Sequence, residues 1–204
     1  MHYLRGFIPW IVFAAVAGFG WQWGALSALV IGVWLIIGSR SAGVARDALV
    51  LEGSTVVYFA AVTALAFAQP HSGLHPWTGV LSFCWLAATA WATLAIGRPF
   101  TLGIARRSTP REVWDTPQFL HVNVVITRVW AIAFTLTAAA QALCHLAHAG
   151  TAATTACQVL GFLAPVVFTS RYPKVMQARW AAAMAAQRLP APDPAAVVQM
   201  PANR

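Results

Sequence analysis

The chain has 204 residues, of which 59% are hydrophobic and only 9% are charged. Soluble domains carry about a quarter charged residues, so this composition excludes an ordinary soluble fold. The net charge of +8 does not indicate a nucleic-acid-binding protein, because the basic residues are scattered between long hydrophobic runs. These runs lack strand-like alternation, and backbone groups in a bilayer must be paired internally. The sequence therefore predicts an all-α, polytopic transmembrane helical bundle.

The first hydrophobic stretch covers residues 7–39, which is too long for one straight membrane crossing and slightly short for two. Glycines and tryptophans in segment 18–24 predict a tight turn between two short helices, and a re-entrant hairpin is the alternative. Either structure returns the chain to its starting side. Arg5 and the small residues 15–17 also fit a cleaved signal peptide, although we expect the segment to be retained.

Four further spans follow along the chain. They are predicted at residues 50–68, 76–96, 117–144 and 152–169. Together with the first stretch they give about six membrane helices in one transmembrane domain, residues 1–174. Residues 175–204 are predicted to form an interfacial helix, ending near 189, and then a disordered tail rich in Ala and Pro.

Basic residues occur on alternate connections of this arrangement. They are Arg5; Arg40 and Arg46; Arg98, Arg106, Arg107 and Arg111; and then Arg171, Lys174, Arg179, Arg188 and Arg204. The opposite connections, 18–24, 69–75 and 145–151, contain no Lys or Arg, and only Arg128 falls within a span. The positive-inside rule therefore predicts a multi-pass protein of a bacterial inner (cytoplasmic) membrane, with both ends in the cytoplasm.

The central cytoplasmic connection, residues 97–115, carries helix-capping signals. Thr109-Pro110-Arg111-Glu112 has the pattern of a capping box with proline at the first helical position, and residues 115–118 repeat that pattern. We expect a short interfacial helix between these two signals, with Trp114 at the headgroup level. This segment serves either as an ordinary connector or as a docking platform for a partner.

The helix starting near residue 117 has a polar stripe. At 100° per residue, eight residues fall on one face. They are Asn123, Thr127, Trp130, Phe134, Thr137, Gln141, His145 and His148. Polar groups within a span normally face other helices, so this face is expected to point inward. The four polar candidates (Asn123, Thr127, Thr137 and Gln141) either join helices by hydrogen bonds or line a cavity or transport path.

Four histidines fall on the connections that lack Lys and Arg. His71 and His75 are four residues apart, and His145 and His148 are three apart, so each pair could converge on a metal or haem if its segment were helical. The same residues could form a pH-sensitive patch. The three cysteines form no CxxC pair and indicate no disulfide framework or zinc site.

Glu52 lies at the start of the third span. Because an acid within a membrane span is usually paired, we expect an ion pair with Arg46, Arg98 or Arg128 that helps to set the topology. A proton-coupled role is the alternative. The sequence contains no recognisable catalytic motif and identifies no cofactor.

Several segments occur in an order that resembles the intracellular septation protein A family of bacterial inner-membrane proteins. The opening 7–14 is similar to that family's start, and the central loop and following helix are the most specific part of the match. The motif residues in this chain are Arg98, Pro99, Trp114, Asn123 and Trp130. The resemblance covers residues 7–174, although this chain adds Arg106, Arg107 and residues 115–119.

The resemblance implies a non-enzymatic protein that supports envelope maintenance or division through contacts with other membrane proteins. Its expected partners are the lipid bilayer and other membrane proteins, and the Arg-rich loop would meet anionic lipid headgroups. The resemblance is also compatible with an oligomer of this chain. Two alternatives are a metal- or haem-binding subunit that uses the outer histidines, and a small-molecule or lipid carrier that uses the polar face.

Overall fold

The structure, a computed structural model, describes residues 5–42, 44 and 49–187, and no strand occurs among them. The α-helices are α1 (Ile8–Val16), α2 (Trp21–Ser41), α3 (Val50–Ala68), α4 (Thr78–Ala95), α5 (Phe100–Arg106), α6 (Pro117–Leu146) and α7 (Thr151–Gln187). Five of them, α2, α3, α4, α6 and α7, are long and apolar enough to cross a membrane. The predicted all-α class is confirmed.

The N-terminal stretch is a helical hairpin. Helix α1 has nine residues and is flanked by 3-10 turns, and the chain reverses at Gly20, whose φ of 140° favours glycine. In α2, a Cβ at Gly24 would lie 3.0 Å from the Ala17 backbone, and one at Gly32 would lie 3.8 Å from Pro9. Helices α1 and α2 are therefore antiparallel, and the predicted turn within 18–24 is confirmed.

The other long helices also run antiparallel to their packing partners. Trp91 Nε1 of α4 donates to Thr135 Oγ1 of α6 at 3.2 Å, and Trp130 Nε1 of α6 donates to Thr169 Oγ1 of α7 at 2.9 Å. The Tyr58 hydroxyl of α3 lies 2.9 Å from that of Ser82 in α4. One end of the bundle consequently holds the connections without Lys or Arg, and the opposite end holds the basic ones.

On the basic side, the central loop, the start of α6 and the end of α7 extend beyond the end of α4. Helix α4 stops one turn after Trp91, at a level near residue 131 of α6, whereas α6 begins at Pro117. We call residues 98–128 and 170–187 the basic extension, since eight Lys and Arg residues lie within them. Arg128 lies within α6, as predicted, and its side chain is exposed.

Helix α7 continues through the boundary predicted at residue 174. It has 37 residues, with Pro165 and Pro173 inside it, and at 1.5 Å per residue it is about 55 Å long. A hydrocarbon core of about 30 Å accounts for little more than half of that length. The segment from residue 175 is thus continuous with the last span, and residues 188–204 of the predicted tail lie outside the described residues.

The short helix of the central loop is not where the capping pattern placed it. Residues Arg111–Val113 form only a 3-10 turn, and α5 lies earlier in the loop with five of its residues buried. Phe100 and Ile104 join the hydrophobic core, so α5 packs into the bundle instead of lying on its surface. The Thr109 hydroxyl donates to the Ala105 carbonyl at 2.8 Å and caps no helix.

Candidate functional site

The central loop is held against the bundle by a turn at the end of α4. Gly97 adopts a φ of 70°, which favours glycine, and the Arg98 N–H donates to the Thr93 carbonyl at 2.9 Å. Pro99 is fully buried and directly precedes α5. This turn directs Phe100 and the rest of α5 back into the bundle and therefore determines the position of the loop.

Hydroxyl groups join α5 to the start of α6. Thr101 Oγ1 donates to the Asn123 carbonyl at 3.0 Å and lies 2.7 Å from Thr127 Oγ1. The Asn123 amide donates to the Phe119 carbonyl at 2.9 Å. Thr101, Asn123 and Thr127 are each at most 2% exposed. The inward orientation predicted for Asn123 and Thr127 is confirmed, and Thr101 is a partner that the sequence did not indicate.

An ion pair fixes the far end of α5 to α3. Arg107 Nη2 lies 2.7 Å from Glu52 Oε1, and the two side chains are only 13% and 5% exposed. The prediction that Glu52 would pair with Arg98 or Arg128 is therefore wrong, and Arg46 lies outside the described residues. Because α5 folds into the bundle, the end of that helix brings Arg107 to the start of α3.

Two guanidinium groups make cation–π contacts with the Trp114 ring. The Arg106 and Arg111 Cζ atoms lie 5.4 and 5.7 Å from the centre of the indole ring, within cation–π range. The indole N–H donates to the Thr109 carbonyl at 3.0 Å. Thr116 then caps α6 by accepting from the Phe119 N–H at 3.3 Å, as the second capping signal predicted. The loop therefore holds two cations at a defined place.

A cavity of about 360 Å³ lies between this loop, α6 and α7. Its wall is formed by Ala105, Thr109, Pro110, Val113, Thr116, Gln118, Phe119, Val122, Asn123, Ile126, Pro173, Gln177 and Trp180. Most of this wall is apolar, with hydroxyl and amide groups interspersed. The volume falls in the range of small-molecule sites, about 300–1,000 Å³. We call it the central-loop cavity.

Basic residues are sequence neighbours of cavity-wall residues in both the central loop and α7. Arg111 follows Pro110 of the wall and clasps Trp114, and on α7 the exposed Lys174 and Arg179 flank wall residues. Helix α7 has no Asp or Glu, and Glu112 and Asp115 are the carboxylates of the basic extension. The cavity therefore lies in a part of the chain that carries eight Lys and Arg residues against two carboxylates.

The other half of the polar face is occupied by helix packing. Thr137 lies against Gly161 of α7, and Gln141 lies against Gly79 of α4, so closely in both cases that a glycine Cβ would collide with the side chain. Both residues are buried, as predicted. The space beside Gln141 is therefore filled by the backbone of α4, which favours interhelical packing over a transport path at this level.

The predicted histidines lie apart from the central-loop cavity. His75 packs 5.2 Å from the Trp21 ring and His145 packs 4.4 Å from the Trp77 ring, while His71 and His148 are exposed. Within the part of the chain that the structure describes, no group of three or more His, Cys, Asp and Glu side chains is arranged to hold a metal ion. His75 is itself exposed and His145 is half-buried, so these ring contacts give the two imidazoles a packing role near the surface of the bundle.

The five motif residues do not form one cluster. Pro99, Trp114 and Asn123 belong to the basic extension, and Arg98 is exposed at its edge. Trp130 lies about 10 Å further along α6, where its ring stacks on Phe7 at 4.8 Å. The contributions of Gln177 and Trp180 were missed, because nothing in a single sequence indicates which face of α7 meets the central loop.

Comparison with known proteins provides no relative on which to base an assignment. No protein family, curated protein or solved structure matches this chain significantly. The structure defines a class, an all-helical protein with five membrane-length apolar helices, and the site must be interpreted from its own geometry.

Proposed function

We propose that this chain is a non-enzymatic, multi-pass protein of a bacterial inner (cytoplasmic) membrane, with the basic extension in the cytoplasm. The antiparallel helices place nearly all described Lys and Arg residues at one end of the bundle, and the positive-inside rule assigns such an end to the cytoplasm. The N-terminal Arg5 and the basic half of α7 lie on that same side, in agreement with an N-in, C-in arrangement of six crossings.

Helix α1 provides the sixth crossing in this proposal. With its flanking 3-10 turns it covers Arg5–Phe19, which is about 23 Å at helical rise. That length is shorter than the hydrocarbon core, and bilayers accommodate such a segment by local thinning at modest cost. Packing of α1 against α2 and the aromatic core compensates for its shortness.

The protein acts by binding membrane components at the central-loop cavity. The observation that carries this proposal is a largely apolar cavity within the basic extension, in which Lys and Arg outnumber Asp and Glu by eight to two. An anionic phospholipid fits both features, because an acyl chain matches the wall and a phosphate matches Arg111 and Lys174. The wider role follows the septation protein A resemblance, namely support of the cell envelope or division through contacts with other membrane proteins.

Lipid selectivity tests this proposal. Native mass spectrometry of the full chain in neutral detergent would count bound phosphatidylglycerol and phosphatidylcholine, with inorganic phosphate added as a competitor. We expect phosphatidylglycerol to be preferred, and the double variant Arg111→Gln, Lys174→Gln to reduce its affinity about tenfold. Val113→Phe, which reduces the cavity, should lower the affinity for both lipids.

Two matched controls separate the cavity from general effects. Arg40→Gln removes an exposed cation of α2, and Ala14→Phe fills a groove of about 440 Å³ between α1 and α7. Neither should alter phosphatidylglycerol binding. Equal affinity for the two lipids, displacement of phosphatidylglycerol by phosphate alone, or losses as large in the controls would contradict the lipid assignment.

A further inference from the structure

Two cysteine thiols meet between α6 and α7. Cys144 Sγ and Cys157 Sγ lie 3.9 Å apart, although the residues are separated by 13 positions in sequence. Both are partly exposed, and both are free thiols in this structure. The third cysteine, Cys84, lies on α4 and is exposed. The sequence alone predicts no pairing, because no spacing motif links residues on two different helices.

The thiol pair lies near the end of the bundle that lacks basic connections. Cys144 is in the last turn of α6, and Cys157 is in the second turn of α7, with only the short connection at 147–150 between the helices. In the proposed orientation this end faces the periplasm, which is an oxidising compartment. The inference below therefore rests on the proposed orientation.

We propose that Cys144 and Cys157 are a disulfide-forming site that links α6 to α7 on the periplasmic side of the membrane. A disulfide needs sulfurs about 2.05 Å apart, so the two atoms must approach by about 1.9 Å from the observed 3.9 Å. Side-chain rotation of two cysteines on adjacent helices provides a movement of this size.

The oxidant is a protein disulfide of the thiol oxidase class. One cysteine, as its thiolate after loss of a proton, attacks that disulfide and forms a mixed disulfide, and releases a thiolate of the oxidase. The second cysteine, also as a thiolate, attacks the first one's sulfur and releases the remaining oxidase thiolate. The chain loses two electrons and two protons, and the oxidase leaves as a dithiol.

The link would stabilise the least buried long helix. Few residues in the membrane window of α7 are buried, and α7 packs mainly on α6. The packing at Thr137–Gly161 and the Trp130–Thr169 hydrogen bond lie further along the same helix pair. A covalent bond at the periplasmic end fixes the alignment of α6 and α7, and these two helices also form one side of the central-loop cavity.

Differential alkylation of the full chain, with cells dissolved directly in denaturing detergent and alkylating agent so that lipid-facing thiols also react, tests the proposal. No Lys or Arg lies between Arg128 and Arg171, so one tryptic peptide carries both thiols, and mass spectrometry counts the alkyl groups added before and after reduction. In wild-type protein we expect Cys84 to be alkylated without reduction, and Cys144 and Cys157 only after reduction. Cys144→Ser should leave Cys157 reactive without reduction, and Cys84→Ser should change neither.

A probe cysteine distinguishes an error in the disulfide proposal from an error in the proposed membrane orientation. In a background without native cysteines, Gly73→Cys should react with a membrane-impermeant maleimide outside the cell. If it reacts while Cys144 and Cys157 are both alkylated without reduction in wild-type cells, the disulfide proposal is wrong and the orientation stands. If Gly73→Cys is protected, the orientation is wrong and the periplasmic disulfide is overturned with it.

Discussion

The membrane part of the bundle and the basic extension are held together by different chemistry. In the membrane part, the rings of Phe7, Phe83 and Phe162 pack around Phe134, and Gly79 and Gly161 let helices approach closely. In the extension, threonine hydroxyls, the Glu52–Arg107 pair and the Arg-clasped Trp114 are the main connections. Close aromatic and glycine packing suits a scaffold, whereas polar contacts around a cavity suit binding.

The largest expected loss concerns the ion pair that joins the two regions. Glu52→Ala leaves Arg107 with its buried carboxylate partner removed, which costs about 3–5 kcal/mol for a buried pair. The retained fraction of folded protein after heating in detergent would measure this loss. A double-mutant cycle with Arg107→Gln should give a coupling energy above about 1 kcal/mol. Additive effects of the two substitutions would show that the pair contributes nothing.

The next largest effect tests glycine packing in the membrane part. Gly161→Ala places a methyl group against Thr137, and overpacking of this kind costs about 1–3 kcal/mol. Gly53→Ala is a matched control, because a Cβ there meets no atom within 4 Å. Thermal stability in detergent should fall for the first variant and stay equal or rise for the second. Equal stability of the two variants would contradict the packing at this position.

A smaller effect is expected in the basic extension. Trp114→Leu removes two cation–π contacts, each worth about 0.5–1 kcal/mol where exposed. Global stability should change little, whereas phosphatidylglycerol binding should weaken several-fold because Arg106 and Arg111 lose their fixed positions. If Trp114→Leu lowered the stability but left phosphatidylglycerol binding unchanged, Trp114 would have a structural role only.

The membrane part could be predicted from the sequence more fully than the extension. The predicted span at 50–68 coincides with α3, since a hydrophobic run bounded by polar residues needs no tertiary information. The 100° rule likewise predicted the buried face of α6. The partner of Glu52 and the place of α5 depend on how a polar loop folds against distant helices, and a sequence pattern does not specify such contacts.

Predictions in the extension also failed where two local signals competed. The pattern at Thr109 fits a helix cap, yet the apolar side chains of Phe100 and Ile104 gain more from burial in the core, so the helix forms before the cap and not after it. The Thr116 cap was predicted correctly because α6 begins there without competition. The septation protein A resemblance stays a prediction.

Both proposals depend on the orientation of the two bundle ends across the membrane, and cysteine accessibility in intact cells measures this orientation. In a background without native cysteines, probes at Gly73 and Ser108 lie on opposite ends of the bundle. We expect an impermeant maleimide to modify Gly73→Cys in intact cells and Ser108→Cys only after the membrane is permeabilised. Modification of Ser108→Cys from outside, with protection of Gly73→Cys, would contradict it.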